Sequence, residues 1–122
     1  MTELTLLEDA RVPIFQLLGL RAVFDTGAEI SVCNLSRDVF EHIFANNCTC
    51  LGQSGISGFG GEAQGYKYKI FSLKIGDMDL KNVEFFIPDE SKVRHKFVLA
   101  GTVFKDYAYT IDMPNHKLTI YT

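Results

Sequence analysis

The feature that most limits what this chain can fold into is a period of two. From Tyr66 to Ile75, the residues Lys67, Lys69, Phe71, Leu73 and Ile75 fall on one side of an extended chain and Tyr66, Tyr68, Ile70 and Ser72 on the other, because successive side chains of a strand point to opposite faces. Gly76-Asp77 then supplies a turn, and Leu80 with Val83-Glu84-Phe85-Phe86-Ile87 reads as a return strand ending at Pro88. Together they predict a β-hairpin. A second hairpin is predicted where Tyr109-Thr110-Ile111-Asp112 and Leu118-Thr119-Ile120-Tyr121 flank the turn-forming Pro114-Asn115-His116-Lys117.

Two short stretches depart from this pattern. Between Ser36 and Phe44, the residues Val39, Phe40, Ile43 and Phe44 recur at helical spacing, Ser36 can cap the N-terminus and Asp38 sits in the first turn. Asn46-Asn47 is expected to end that helix. A second, weaker helical stretch is Thr102 to Tyr107, directly after the apolar run Phe97-Val98-Leu99-Ala100-Gly101. The expected class is mostly β with one or two short helices. No repeat or Pro/Ser-rich linker interrupts the 122 residues, so a single domain spanning 1–122 is expected.

Charge and composition remove several function classes. With 12 Lys and Arg against 15 Asp and Glu, and no long basic run, the electrostatic footprint of a nucleic-acid binder is missing. No stretch is long and apolar enough to span a bilayer, and Met1 to Asp9 lacks a basic region followed by an apolar one, so no membrane partner is expected. Three cysteines, Cys33, Cys48 and Cys50, favour reduced thiols and a cytoplasmic location. A chain of this size can carry a core without a metal or disulfide staple.

The segment that carries chemistry is Ala22-Val23-Phe24-Asp25-Thr26-Gly27-Ala28-Glu29-Ile30-Ser31-Val32-Cys33. Two apolar runs bracket a tight Asp-Thr-Gly turn, placing a lone carboxylate at the end of a strand emerging from the core. Asp-x-Gly is also a common turn solution in its own right, since Asp bonds the backbone two residues on and Gly takes positive φ. Other features follow in order, however. Gly55-Ile56-Ser57-Gly58-Phe59-Gly60-Gly61 is glycine-rich, the long hairpin comes next, and Leu99-Ala100-Gly101 precedes a short helix.

This ordered set resembles the retropepsin-like aspartic proteases, over about Val12 to Tyr121. The resemblance implies a closed, barrel-like acid protease fold with a flap hairpin, assembling as a two-fold homodimer. It assigns Phe24 to Ala28 to the catalytic loop, followed by an Ile30-Ser31-Val32 strand, and Gly55 to Gly61 to the substrate-covering flap. Asp25, Thr26 and Gly27 are then the catalytic residues, with Ala28, Glu29, Ile56, Ser57, Gly58, Phe59 and Gly60 toward the substrate. One departure is that Thr102-Val103 follow Gly101 where the family usually has Asp, Asn or Arg buttressing the catalytic loop. The stretch ahead of Asp25 leaves room only for a tight hairpin between Val12-Pro13-Ile14-Phe15 and Leu20-Arg21-Ala22-Val23, unlike the family's usual terminal dimer sheet.

Peptide hydrolysis by this chemistry needs two carboxylates sharing one proton. The chain holds one such motif, so the implied enzyme is an aspartic endopeptidase in which Asp25 meets Asp25 of a second copy across a two-fold axis. The resemblance has the Thr26 hydroxyl locking the two loops and Gly27 letting substrate backbone approach. Ala28 offers no hydroxyl to the charged pair, so activity is expected at mildly acidic to near-neutral pH. Glu29 fits either a substrate contact or an ordinary strand-end acid.

Other candidates read more plainly. Cys48-Thr49-Cys50 lacks the spacing and second pair of a zinc site, and no metal or cofactor is expected. A phosphate cradle at the glycine-rich segment would need a helix behind it, where Tyr66 onward is strand. His42, His95 and His116 show no relation to a nucleophile, and Leu118 to Tyr121 is one exposed-strand candidate for a dimer contact. The alternative function is a non-catalytic peptide-binding or scaffold module of the same fold, and a domain excised from a longer precursor is a third reading.

Overall fold

Residues 14–25 form a hairpin in which β2 (Ile14–Leu17) and β3 (Leu20–Asp25) pair antiparallel from Leu17↔Leu20 to Ile14↔Val23 around a two-residue turn, Leu18-Gly19, with positive φ at both positions. That turn matches the twist of the flanking strands and is the tight first hairpin expected from sequence. The computed structural model describes residues 1–58, 61–90 and 95–122. The remaining elements are β1 (Thr2–Thr5), β4 (Val32–Cys33), α1 (Arg37–Ile43), β5 (Cys48–Gly58), β6 (Gly61–Ile75), β7 (Met78–Pro88), β8 (Phe97–Ala100), a 3-10 helix (Gly101–Phe104), β9 (Ala108–Asp112) and β10 (Lys117–Tyr121). They build a seven-stranded sheet in the order β2-β3-β8-β4-β7-β6-β5 and a three-stranded sheet in the order β1-β10-β9.

The large sheet is organised around β8. It runs parallel to β3, from Ala22↔Phe97 to Asp25↔Ala100, and antiparallel to β4 on its other side. Phe97 and Leu99 are fully buried, as are Ala22 and Phe24 of β3. Phe24 meets Phe104 and Tyr109 edge-on, with ring centroids 5.2 and 5.1 Å apart, so the strand carrying Asp25 is anchored by an aromatic cluster beneath it. A second cluster joins Phe40 of α1 to Phe44, Tyr68 and Phe85.

The helix follows its sequence signals. Ser36 caps it by accepting the Val39 N–H at 3.3 Å, Asp38 lies in the first turn, Phe40 and Phe44 face the core, and Asn46 takes φ 63° just beyond the end. Val39 and Ile43 stand 45% and 38% exposed, so the buried stripe is narrower than the apolar spacing suggests. The weaker helical stretch is a single 3-10 turn, starting one residue earlier than expected.

The long hairpin is present, and Gly76, with φ 61°, opens its two-residue turn between Ile75 and Met78. Its alternation is not continuous, however. Tyr68 and Ile70 are buried, and then so are Leu73 and Ile75, so the inward face changes between Ile70 and Leu73. On β7 the same slip falls between Leu80 and Val83, at Asn82 with φ 55°. Asn47 pins the site of the change: its carbonyl accepts the Phe71 N–H at 3.0 Å, its side-chain amide donates to the Ser72 carbonyl at 2.7 Å, and its side-chain oxygen accepts the Ser72 N–H at 3.0 Å. The assignment of Lys67 through Ile75 to one face is thereby corrected.

Two further differences concern strand edges. β10 is the middle strand of its sheet, bonded to β1 on one side and β9 on the other, with Leu118 and Ile120 fully buried. It therefore has no free edge for a dimer contact, contrary to the sequence reading. The strand expected at Ile30-Ser31-Val32 is limited to Val32–Cys33, because only Val32 pairs with β7, opposite Phe86.

Candidate active site

Asp25 ends β3, with Ala100 beside it on β8. Its main-chain carbonyl accepts the Ala28 N–H at 3.2 Å, closing a turn, and its Oδ1 accepts the Gly27 N–H at 3.0 Å. The carboxylate is thus oriented by its own loop, as an Asp at the first position of such a turn is disposed to do. Asp25, Thr26, Gly27 and Glu29 are exposed and Ala28 is half-buried.

The turn is held from behind by residues far along the chain. Gly101 lies so close that a Cβ there would stand 2.9 Å from the Thr26 carbonyl oxygen and 3.3 Å from its Cα. Ser31, 4% exposed, accepts the Ala100 N–H on its hydroxyl at 2.9 Å, and its carbonyl accepts the Phe86 N–H at 2.8 Å. One buried serine therefore ties the outgoing arm of the turn to both β8 and β7. Thr102, a departure in sequence from the pattern of the family that the chain resembles, directs its hydroxyl to the Glu29 carbonyl at a long 3.4 Å. The loop is supported by Ser31 and by the close backbone packing of Gly101.

The glycine-rich segment is part of a hairpin, with β5 and β6 paired from Cys48↔Ile70 to Gly58↔Gly61 and a bulge between Cys50 and Gly52. Ile56 is half-buried opposite Ala63, Ser57 is exposed opposite Glu62, and Gly58 ends β5. Phe59 and Gly60, both expected toward the substrate, lie outside the described residues. The structure brings together Asp25 to Glu29, and no hydrogen bond links this hairpin to the Asp25 turn among the described residues.

Across the bulge the hairpin is clamped to α1. The Arg37 guanidinium lies 3.5 Å over the Tyr66 ring and donates to the Tyr68 hydroxyl at 3.0 Å, while that hydroxyl donates to Glu41. Burial, then the bond to Glu41, pushes the Tyr68 hydroxyl up to about 12. Ser31 and this clamp were missed from sequence, since nothing local marks which distant strand a polar side chain will meet. Among the described residues, no group of three or more His, Cys, Asp or Glu side chains is arranged to hold a metal ion, and none of the three cysteines is in a disulfide.

Comparison with known proteins agrees with this architecture. The family described as Aspartyl protease matches residues 11–103, which include the Asp25 turn, the hairpins from β2 to β7 and Gly101, but not the C-terminal hairpin of β9 and β10. No curated protein matches the chain. Among solved structures, a retropepsin-like aspartic protease from Rickettsia conorii aligns over 97% of this chain and 87% of its own, with a TM-score of 0.58 and 15% identity. The chain belongs to the aspartyl protease family and carries a mostly β, retropepsin-like fold.

Proposed function

We propose that the protein is an aspartic endopeptidase working as a homodimer, in which Asp25 and Asp25 of a second copy share one proton and activate water. The observation that carries this is the state of the turn. Asp25, Thr26 and Gly27 are exposed, yet the backbone behind them is fixed by buried contacts from Ser31 and Gly101. A rigid, outward-facing carboxylate suits a site completed by another molecule, and the 122 residues contain a single Asp-Thr-Gly.

In this reading one carboxyl of the pair is ionised and takes a proton from water, while its protonated partner polarises the scissile carbonyl. The Thr26 hydroxyls would hold the two loops coplanar, Gly27 would admit the substrate backbone, and Ala28 and Glu29 would flank it. Ile56, Ser57, Gly58, Phe59 and Gly60 would lie over an extended peptide and exclude water. With β10 enclosed on both edges, the copies would meet through their exposed turns rather than through that strand. The substrates are peptides or unfolded proteins; we place the protein in the cytoplasm, and propose an optimum at mildly acidic to near-neutral pH.

The test is cleavage of a mixed peptide library by wild type and Asp25→Asn in parallel from acid to neutral pH, with sedimentation of both. Cleavage by a wild-type dimer alone is the expected result. A monomer at full activity would refute the shared dyad. No cleavage by a folded dimer would favour a peptide-binding or scaffold module.

A further inference from the structure

A groove of about 500 Å³ lies between the outgoing arm of the Asp25 turn (Glu29, Ile30, Ser31), the 3-10 helix with the turn that follows it to Tyr107, and the side of β7 from Asp79 to Phe86. Its apolar surface includes Ile30 and Tyr107, 41% and 37% exposed, with Leu80, Val83 and Val103. The third wall is a strand edge. β7 pairs with β6 along one side, but on the other only Phe86 meets β4, so the preceding residues have no strand beside them among the described residues. The Phe86 N–H points to that side, to the Ser31 carbonyl. In a period-two strand, Glu84 therefore turns its N–H and C=O the same way, into the groove.

We infer that this groove is an accessory site for an extended stretch of polypeptide substrate lying outside the bond to be cut, paired with the Glu84 backbone. An unpaired main-chain N–H and C=O beside apolar side chains is what an added strand recognises. The groove also begins at Glu29, the last residue of the candidate catalytic turn, so one chain can run from one to the other. A second copy fits less well. Asn82, at φ 55°, breaks the edge between Lys81 and Glu84, so no continuous run of outward-facing backbone is long enough for a stable strand-to-strand dimer. The ion pairs Lys67–Glu84 (3.8 Å) and Lys81–Asp79 (2.8 Å) occupy the charged side chains of the β7 wall, so on that wall the backbone is the recognition element.

This inference rests on the peptidase reading, and the experiment separates the two. Glu84→Pro removes the groove-facing N–H without touching the β6 ladder, while Glu84→Gln keeps it. With casein as an unfolded protein, kcat/KM is expected to fall about tenfold in Glu84→Pro, through KM. For an eight-residue peptide cut from casein it should stay within twofold, with Glu84→Gln matching wild type on both. Tyr107→Glu, at an exposed position on the opposite wall, should give the same split if Glu84→Pro does not fold. Equal losses on casein and peptide, no loss on casein, or a change in sedimentation would overturn the inference. If wild type cuts neither substrate, the peptidase reading fails. The groove is then judged by anisotropy of labelled casein with Asp25→Asn: about tenfold weaker binding on adding Glu84→Pro upholds it, and unchanged binding overturns it.

Discussion

Replacing Gly101 by alanine should push on the backbone of the Asp25 turn itself. The added Cβ would sit 2.9 Å from the Thr26 carbonyl oxygen, 3.3 Å from its Cα and 3.5 Å from its carbonyl carbon. Ordinary contact for such atoms begins at about 3.4 Å, so roughly half an ångström must be absorbed by main chain, with no flexible side chain to yield. Neither side moves freely, since Ala100 is paired with Asp25 and tied to Ser31. The expected cost is about 1–3 kcal/mol of stability. A turn displaced by a fraction of an ångström to an ångström should lose about 10- to 100-fold in kcat/KM. Gly55→Ala is the matched control, because its Cβ would meet first the mobile end of Gln64, at 3.1 Å. That variant should lose less than about 1 kcal/mol. Urea denaturation and peptide cleavage of both variants are the assays. Wild-type stability in Gly101→Ala would refute the packing argument, and lost stability with full activity would refute the link between this contact and the site.

Three further outcomes follow from the same contacts. Ser31→Ala leaves the N–H of the fully buried Ala100 without its 2.9 Å acceptor and should cost about 1–3 kcal/mol in urea; an unchanged midpoint would mean that the serine does not hold the turn. Asn47→Ala removes both side-chain bonds to Ser72 and should speed hydrogen exchange at the Ser72 amide far more than at Tyr68; equal rates would refute the clamp. Alkali should destabilise the fold. Burial raises the Cys33 thiol from 9.0 to about 11, and Tyr68 stands at about 12 against an ordinary 10.0, so both neutral forms are favoured when folded. Their stabilisation is whole below the unfolded values and fades as pH climbs through the folded ones, so the urea midpoint should fall above about pH 9, less steeply in Tyr68→Phe. A flat midpoint up to about pH 11 would contradict this.

Local chemistry was readable in advance where a few adjacent residues decide the outcome. Ser36 with Val39 and Phe40 specifies a helix start, and Gly76-Asp77 between alternating runs specifies a hairpin turn. The Asp25-Thr26-Gly27 turn after Ala22-Val23-Phe24 was legible for the same reason. What escaped depends on partners far apart in the chain. Thr2–Thr5 has little strand character of its own and becomes β1 by pairing with Lys117–Ile120. That pairing also turns β10 from an edge into a middle strand. The face change near Phe71 comes from Asn47 reaching across from the end of α1, and the anchoring role of Ser31 exists only once Ala100 lies beside it.

The placement of β8 between β3 and β4 also governs when the site can come into being. Asp25 lies on a hairpin that can close locally, but its neighbour Ala100 is 75 positions later, and bringing two such segments together carries the entropy of closing a long loop. During synthesis, the first hairpin would leave the ribosome with its carboxylate on an unsupported turn, and the lock of Ser31 and Gly101 would arrive only once β8 had been made. Late assembly of this kind ties the order of the Asp25 turn to completion of the large sheet: the carboxylate is oriented from behind only once β8 has docked beside β3.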